Sequence, residues 1–262
     1  MIVLSPEETY IAEKEYPDYS SRLDGLRGRI VASLPLEARM KILDVATGSA
    51  NFAIELAKKD PSLKIVAIDV SDSMIRIADK SIRERWFDTN ITTMKMDATR
   101  LEFPVSSFGI ATNFMGFDDV AMTRGEQGVR KAFHEVARIL KPRGYFCFTV
   151  MPPEEAETPA QKLETEVYTH ACGAKWFPAI RYQEYLRGAG FTLIKRENFY
   201  TGKKLRPEQA RREIAAAIED AEKHGVEVIP LDEVWKKYGY EIEKNGLGHC
   251  SRVVLMMARK NT

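Results

Sequence analysis

Three aspartates close three successive short apolar runs, and a loop of small residues follows the first of them. The first run, Lys41-Ile42-Leu43-Asp44-Val45, leads into Ala46-Thr47-Gly48-Ser49-Ala50-Asn51. Small side chains are needed where a backbone must turn sharply and let a ligand come close. The second run, Lys64 to Asp69, ends in a carboxylate twenty-one residues after Gly48. At that spacing an acid can accept hydrogen bonds from both hydroxyls of a ribose. The third run ends at Met96-Asp97-Ala98, where a further carboxylate suits an adenine amino group. Each acid alone has an ordinary explanation, such as a turn or a helix cap. Three acids at three successive run ends, with the small-residue loop, are much harder to explain by structure alone.

Elements that could hold these acids are legible around them. From about residue 40, short apolar runs alternate with longer amphipathic stretches, the pattern of βαβ units and a parallel sheet. Helices are expected over about 51–59 and 73–86, and further strands over 91–96 and 107–115. Val129, Phe133, Val136 and Leu140 form one helical stripe within 125–140. Pro142 and Gly144 should end that helix before a strand from Tyr145 to Val150. After Met151-Pro152-Pro153 the rhythm changes. Helices are expected over about 159–171, 182–187, 207–224 and 231–244, with strands over 191–199 and 252–258.

Composition narrows the function classes. Of 262 residues, 44% are apolar and 29% charged, ordinary globular usage with a sizeable core. Lys plus Arg number 39 against 38 Asp plus Glu, a net charge of +1, so there is no global footprint for nucleic acid or anionic membrane. No stretch approaches the ~20 apolar residues of a membrane span, and the acidic N-terminal stretch is unlike a signal peptide. Cys147, Cys172 and Cys250 are odd in number and far apart, which fits a reducing, cytoplasmic setting. His170-x-Cys172 and His249-Cys250 contain zinc-type ligands, but their spacing matches no standard pattern. No metal is assigned from the sequence.

The run from Lys41 to Val150 resembles the class I methyltransferases, most closely the group with the menaquinone and ubiquinone C-methyltransferases. That family's acid-x-Gly-x-Gly-x-Gly motif is matched by Asp44, Ala46, Gly48 and Ala50, with alanine at two of three glycines. Asp69 matches the ribose acid, Asp97 the adenine-side acid and Asn113 the end of the fourth strand. Leu140-Lys141-Pro142-Arg143-Gly144 is similar to the family's Leu-Lys-Pro-Gly-Gly turn. The resemblance implies a Rossmann-like, doubly wound, mostly parallel seven-stranded sheet with an antiparallel last strand. It implies S-adenosyl-L-methionine as cofactor, held by Tyr19, Asp44, Ala46, Thr47, Gly48, Asn51, Asp69, Val70, Met74, Asp97, Ala98, Asn113 and Met115. A dinucleotide dehydrogenase also places an acid on the ribose. Its loop, however, must hold a pyrophosphate, beside which Asp44 would be unwelcome.

The implied reaction is in-line displacement of a methyl group onto a small-molecule acceptor. Asp118 or Asp119, just after the fourth strand, could orient that acceptor or take its proton, and His170 is a further catalytic candidate. Equally, either aspartate could simply cap the next helix. Tyr10, Tyr16 and Tyr19 could form a lid or merely pack an N-terminal helical arm spanning 1–39. Residues 1–200 with 248–262 are read as the Rossmann-like domain. Residues 201–247 are read as a helical insertion between the last two strands, either a cap over the acceptor pocket or a dimerisation element. A nucleic-acid or protein methyltransferase and a non-catalytic cofactor-binding scaffold are the competing readings. Against nucleobase methylation, Asn113 is followed by Phe114-Met115-Gly116 and not by two prolines.

Overall fold

The computed structural model describes residues 9–10, 23–223 and 225–262. Tyr16 and Tyr19 lie outside them. Among the described residues no helix is long and apolar enough to cross a membrane. The chain divides into two compact units. One runs over Ser20–Val150, Ala179–Glu197 and Val254–Thr262; the other gathers Met151–Pro178 and Asn198–Val253 with the short strand β1, Thr9–Tyr10.

The first unit begins with α1 (Asp24–Ala32), β2 (Lys41–Val45), α2 (Asn51–Lys59) and β3 (Lys64–Asp69). It continues with α3 (Asp72–Glu84), β4 (Ile91–Lys95), β5 (Phe108–Phe114), α4 (Phe117–Ile139) and β6 (Leu140–Val150). After a long excursion come α6 (Ala179–Gly188), β7 (Phe191–Tyr200) and finally β10 (Arg252–Lys260). Seven strands form one sheet in the order β4-β3-β2-β5-β6-β10-β7. Pairs along β4-β3-β2-β5-β6 are parallel, while β10 runs antiparallel to β6 from Val254 opposite Val150 to Arg259 opposite Tyr145. This is the expected doubly wound sheet with its last strand reversed. The chain steps from β2 outward to β3 and β4, then returns across to β5. The strand order therefore reverses between β2 and β5, and ligands of open α/β sheets bind beyond the carboxyl ends of the strands at such a point.

Burial explains why these segments are strands and helices. The middle strands β2 and β5 are almost wholly buried, as strands covered on both faces must be. On one face Phe117, Phe133, Phe146 and Phe148 meet largely edge to face, and Tyr185 joins them at 5.7 Å from Phe133. Such contacts add about 0.5–1.5 kcal/mol per pair beyond area burial.

Two boundaries differ from the sequence expectation. The helix expected from 125 starts at Phe117, and Gly125 interrupts it with φ 67° and ψ −178°. That backbone region is essentially closed to side-chain-bearing residues. The stripe from Val129 onward was legible, but the preceding turns are not in phase with it across the break. The strand expected from Tyr145 starts at Leu140, because Leu140 already pairs with Phe108 before the register shifts ahead of Ile110. Arg143, at φ 63°, lies in that shift, so the Leu-Lys-Pro-Arg-Gly segment is a bulge within a strand.

The second unit contains α5 (Pro159–Cys172), β8 (Lys203–Leu205), α7 (Pro207–Lys223), α8 (Leu231–Asn245) and β9 (Leu247–Gly248). Helix α5 starts on a capping box between Thr158 and Gln161 and ends on Gly173 at φ 69°. Leu163 and Val167 of α5, Ile214 and Ile218 of α7, and Val234 and Ile242 of α8 share one core. Strands β1, β8 and β9 form a second small sheet. These strands are two or three residues long, too short to leave a period-two pattern, and the insertion is therefore not purely helical.

Gly125→Ala is expected to destabilise the protein by about 1–3 kcal/mol in denaturant unfolding, since its backbone region admits little but glycine. Gly188→Ala, where an added Cβ meets nothing within 4 Å, should be neutral or stabilising by under about 1 kcal/mol.

Candidate functional site

The loop between β2 and α2 is shaped by three left-handed residues, Ala46 (φ 50°), Gly48 (φ 54°) and Ala50 (φ 62°). These are the three positions of the glycine motif, so the alanines keep the backbone shape at a local cost of roughly 1–2 kcal/mol each. The loop is tied to its neighbours at both ends. Thr47 N–H donates to the Ile68 carbonyl at 2.9 Å, and Gly48 N–H donates to Asp69 Oδ2 at 2.9 Å. Asp69 Oδ1 accepts Ser71 N–H at 2.9 Å, and Ser71 caps α3 by accepting Met74 N–H. A carboxylate has about four acceptor positions, so Asp69 keeps capacity for a ligand's hydroxyls. Beside it Val70 is 47% exposed, an apolar side chain left in the open next to an acid. Met74 is half-buried one turn into α3.

Asp44 is buried behind the loop, with Oδ2 accepting Thr47 Oγ1 at 2.6 Å and Oδ1 accepting Thr112 Oγ1 at 2.7 Å. Burial pushes its carboxyl up to about 6 from an ordinary 3.8, against the pull of the two threonine hydroxyls, and the nearby charge of Asp69 adds to the rise. Asn113, fully buried, donates from Nδ2 to the Val45 carbonyl at 2.8 Å and accepts Gly116 N–H at 3.1 Å. It thereby binds the ends of β2 and β5 together. Met115 turns left-handed at φ 57° and donates its N–H to Thr149 Oγ1 at 3.0 Å. Asn51 opens α2, its side chain bridging Ser49 and Arg85.

Asp97 accepts Thr99 N–H at 2.8 Å and Arg124 Nε at 3.0 Å. Burial alone would raise its carboxyl, but Thr99 and the Arg124 guanidinium outweigh that and hold it below the usual range. Ala98 next to it is buried. Asp118 and Asp119 occupy the first turn of α4, where the helix N-terminus favours negative charge. Desolvation, reinforced by the charge of Asp119, nevertheless pushes the Asp118 carboxyl well above the ordinary range, against opposing backbone hydrogen bonds.

One unit thus holds Asp44, Ala46, Thr47, Gly48, Asn51, Asp69, Val70, Met74, Asp97, Ala98, Asn113, Met115, Asp118 and Asp119. His170 belongs to the other unit, where Nδ1 stands 3.4 Å from Lys237 Nζ and the ring meets Tyr238 at 5.5 Å. Sequence reasoning missed Thr112, Thr149 and Arg124. Thr112 faces Asp44 only through the β2–β5 register, which no local pattern encodes. Arg124 reaches Asp97 across twenty-seven residues.

The titration of Asp44 sets a pH dependence. Its raised pKa means the folded chain binds that proton more tightly than the unfolded one, so stability falls as pH rises from about 4 to about 6 and is level above. At about 1.4 kcal/mol per pKa unit, the cost at neutral pH is on the order of 3 kcal/mol. Asp44→Asn is expected to raise the unfolding free energy by about 1–3 kcal/mol at pH 7.5, with the gain vanishing below about pH 4. Urea melts at the two pH values check this.

Residues 42–144 match the family described as a methyltransferase domain. The chain is 34% identical over 100 residues to a demethylmenaquinone methyltransferase of Porphyromonas gingivalis, covering 38% of each chain. It is 31% identical over 126 residues to the Thermus thermophilus enzyme of the same name, covering 48% of this chain and 54% of that one. The chain spans about two-fifths to half of the length of the curated relatives it matches. Among solved structures, geranyl diphosphate methyltransferase in complex with its methyl donor superposes with a TM-score of 0.61 at 12% identity, over 95% of this chain and 90% of that one. The cyclase SpnF superposes at 0.64 with 21% identity, over 91% and 81%. These last two likenesses speak to the fold. In fold, strand-end acids and matched segment, the chain resembles the class I, S-adenosylmethionine-dependent methyltransferases of the menaquinone and ubiquinone C-methyltransferase group.

Proposed function

We propose that this protein transfers a methyl group from S-adenosylmethionine to a small-molecule acceptor by in-line displacement. The observation that carries the reading is the hydrogen bond from Gly48 N–H to Asp69. It commits a loop N–H that a dinucleotide's pyrophosphate would need, while the buried Asp44 carboxylate behind the same loop favours a cationic ligand. The matched methyltransferase domain supports the same choice.

The residues fit the methyl donor. Asp69 offers its remaining acceptor positions to the ribose hydroxyls, and Val70 and Met74 offer apolar surface to the adenine. Asp97, oriented by Thr99 and Arg124, accepts the adenine amino group. Nothing lies within 4 Å of a Cβ built on Gly48, so the loop leaves room for close approach of the donor's amino-acid end, whose ammonium Asp44 balances. When bound, S-adenosylmethionine supplies an electrophilic methyl on a sulfonium that is already a good leaving group.

The chain therefore mainly has to align the acceptor and exclude water. Asp118, with its carboxyl raised by desolvation and Asp119, takes the acceptor's proton where the acceptor arrives protonated. His170 is left out of this step, because its ring is engaged with Lys237 and Tyr238.

The curated relatives are named for demethylmenaquinone. The family match ends at residue 144. A net charge of +1 favours a small acceptor over nucleic acid.

Calorimetric titration should show micromolar binding of S-adenosylmethionine and none of NAD. Asp69→Ala should weaken that binding by about 10–100-fold, the loss of one or two charge-assisted hydrogen bonds to the ligand, in a chain that still folds by circular dichroism but melts lower, because Gly48 and Ser71 N–H lose their acceptor. Binding of NAD instead, or an unweakened Asp69→Ala, would overturn the assignment.

A further inference from the structure

Away from the strand-end acids, Glu164 of α5 and the adjacent His249 and Cys250 bring a carboxylate oxygen, an imidazole nitrogen and a thiol sulfur together. One ligand atom from each lies within 4.8 Å of the others. All three residues belong to the unit built on α5, α7 and α8. Glu164 is 5% and His249 7% exposed, and Cys250 is partly open. We propose that Glu164, His249 and Cys250 form a binding site for one zinc ion.

The ligand set suits zinc. Thiolate, imidazole and carboxylate are the three donor types zinc uses, and three protein ligands with an open fourth position are a recurrent zinc arrangement. Bonds of about 2.0–2.3 Å in a tetrahedron put donor atoms roughly 3.3–3.8 Å apart. Contracting from 4.8 Å takes about 1 Å of side-chain movement, within the reach of rotation about χ angles.

The turn holding two of the ligands is fixed from several sides. Cys250 N–H donates to Glu164 Oε1, and Ser251 Oγ donates to Oε2 at 3.2 Å. Thr201 Oγ1 donates to the Cys250 carbonyl at 3.2 Å, and Thr201 N–H donates to the Ser251 carbonyl at 3.1 Å. His249 N–H donates to the Lys203 carbonyl at 3.3 Å, extending the β8–β9 pairing. A Cβ on Gly248 would come within 2.5 Å of Glu164 Oε2 and 2.7 Å of the Ala160 carbonyl, so only glycine lets the turn approach α5 this closely. Cys250 itself is held at φ 42°, a left-handed conformation costly for a side-chain-bearing residue. Sites that bind ions well are built this way, with ligands oriented before the ion arrives.

In sequence, the spacings of His170-x-Cys172 and His249-Cys250 match no standard zinc pattern. The structure pairs His249 and Cys250 with Glu164, eighty-six residues away from Cys250 in sequence, and leaves out His170 and Cys172. The Cys172 Sγ donates to the Tyr168 carbonyl at 3.2 Å instead. Binding is balanced as loss of the Cys250 thiol proton to solvent with formation of the zinc–sulfur bond.

The test is titration of the chelator-treated full chain with zinc against a chromophoric chelator, followed by cobalt(II) as a spectroscopic stand-in. One equivalent of zinc per chain is expected, together with a thiolate-to-cobalt charge-transfer band. Cys250→Ser should abolish the band, and His249→Gln should weaken zinc binding by more than about 100-fold. Cys172→Ser should leave both unchanged. No thiolate–cobalt absorption in the folded wild-type chain would overturn the proposal, whether or not the variants fold. So would zinc retained equally by Cys250→Ser and His249→Gln, which would mark adventitious binding.

Discussion

The contact on which the candidate site depends is the buried bridge between the carboxyl ends of β2 and β5. Asp44 receives Thr112 across the strand pair and Thr47 from the loop, while Asn113 clamps the Val45 carbonyl and Gly116 N–H. These four side chains sit where the strand order reverses. Neighbouring parallel strands whose following helices pack on opposite faces must diverge there, and any ligand crevice exists because the backbone is not filled in. Without polar partners, the backbone groups freed at this divergence would be buried and unsatisfied. The bridge supplies such partners to the Val45 carbonyl and Gly116 N–H.

Strain is concentrated in the same place. Ala46, Ala50 and Met115 all adopt left-handed backbone that glycine would adopt at less cost, and Asp44 is a carboxylate buried against its preference. Each feature is unfavourable by itself, and the large aromatic and aliphatic core beneath the sheet offsets them. Local preference and global fold thus conflict at one end of one strand pair. Asp69 illustrates the economy of the arrangement: one carboxylate fixes Gly48 and steadies the entry to α3 through Ser71.

The second unit follows a different logic. Its helices present ordinary apolar faces to a shared core, and polar groups gather at a turn pressed against α5. The Glu164 carboxylate there serves backbone and hydroxyl donors from residues far along the chain. Arg252, also buried, pairs with Glu155 at 2.6 Å and reaches Asn198 at 3.2 Å. Polar contacts between remote segments, more than local propensity, specify how this part of the chain closes on itself.

Much of the fold was legible because its signals are local. Alternating short apolar runs and amphipathic stretches located nearly every strand of the large sheet and every long helix, and acids at three run ends located the candidate ligand face. Boundaries were lost where a single backbone conformation overrides the pattern, as at Gly125 and at the bulge around Arg143. Short strands β1, β8 and β9 left no pattern at all. What the sequence by itself determined was which side chains stand at the carboxyl ends of the strands, since order along the chain carries that. Only the tertiary structure decided that Thr112 meets Asp44, that Arg124 meets Asp97, and that Glu164 meets Cys250. Those pairings depend on strand register and helix packing between residues far apart in the chain, and register is a property of the assembled sheet and not of any one strand.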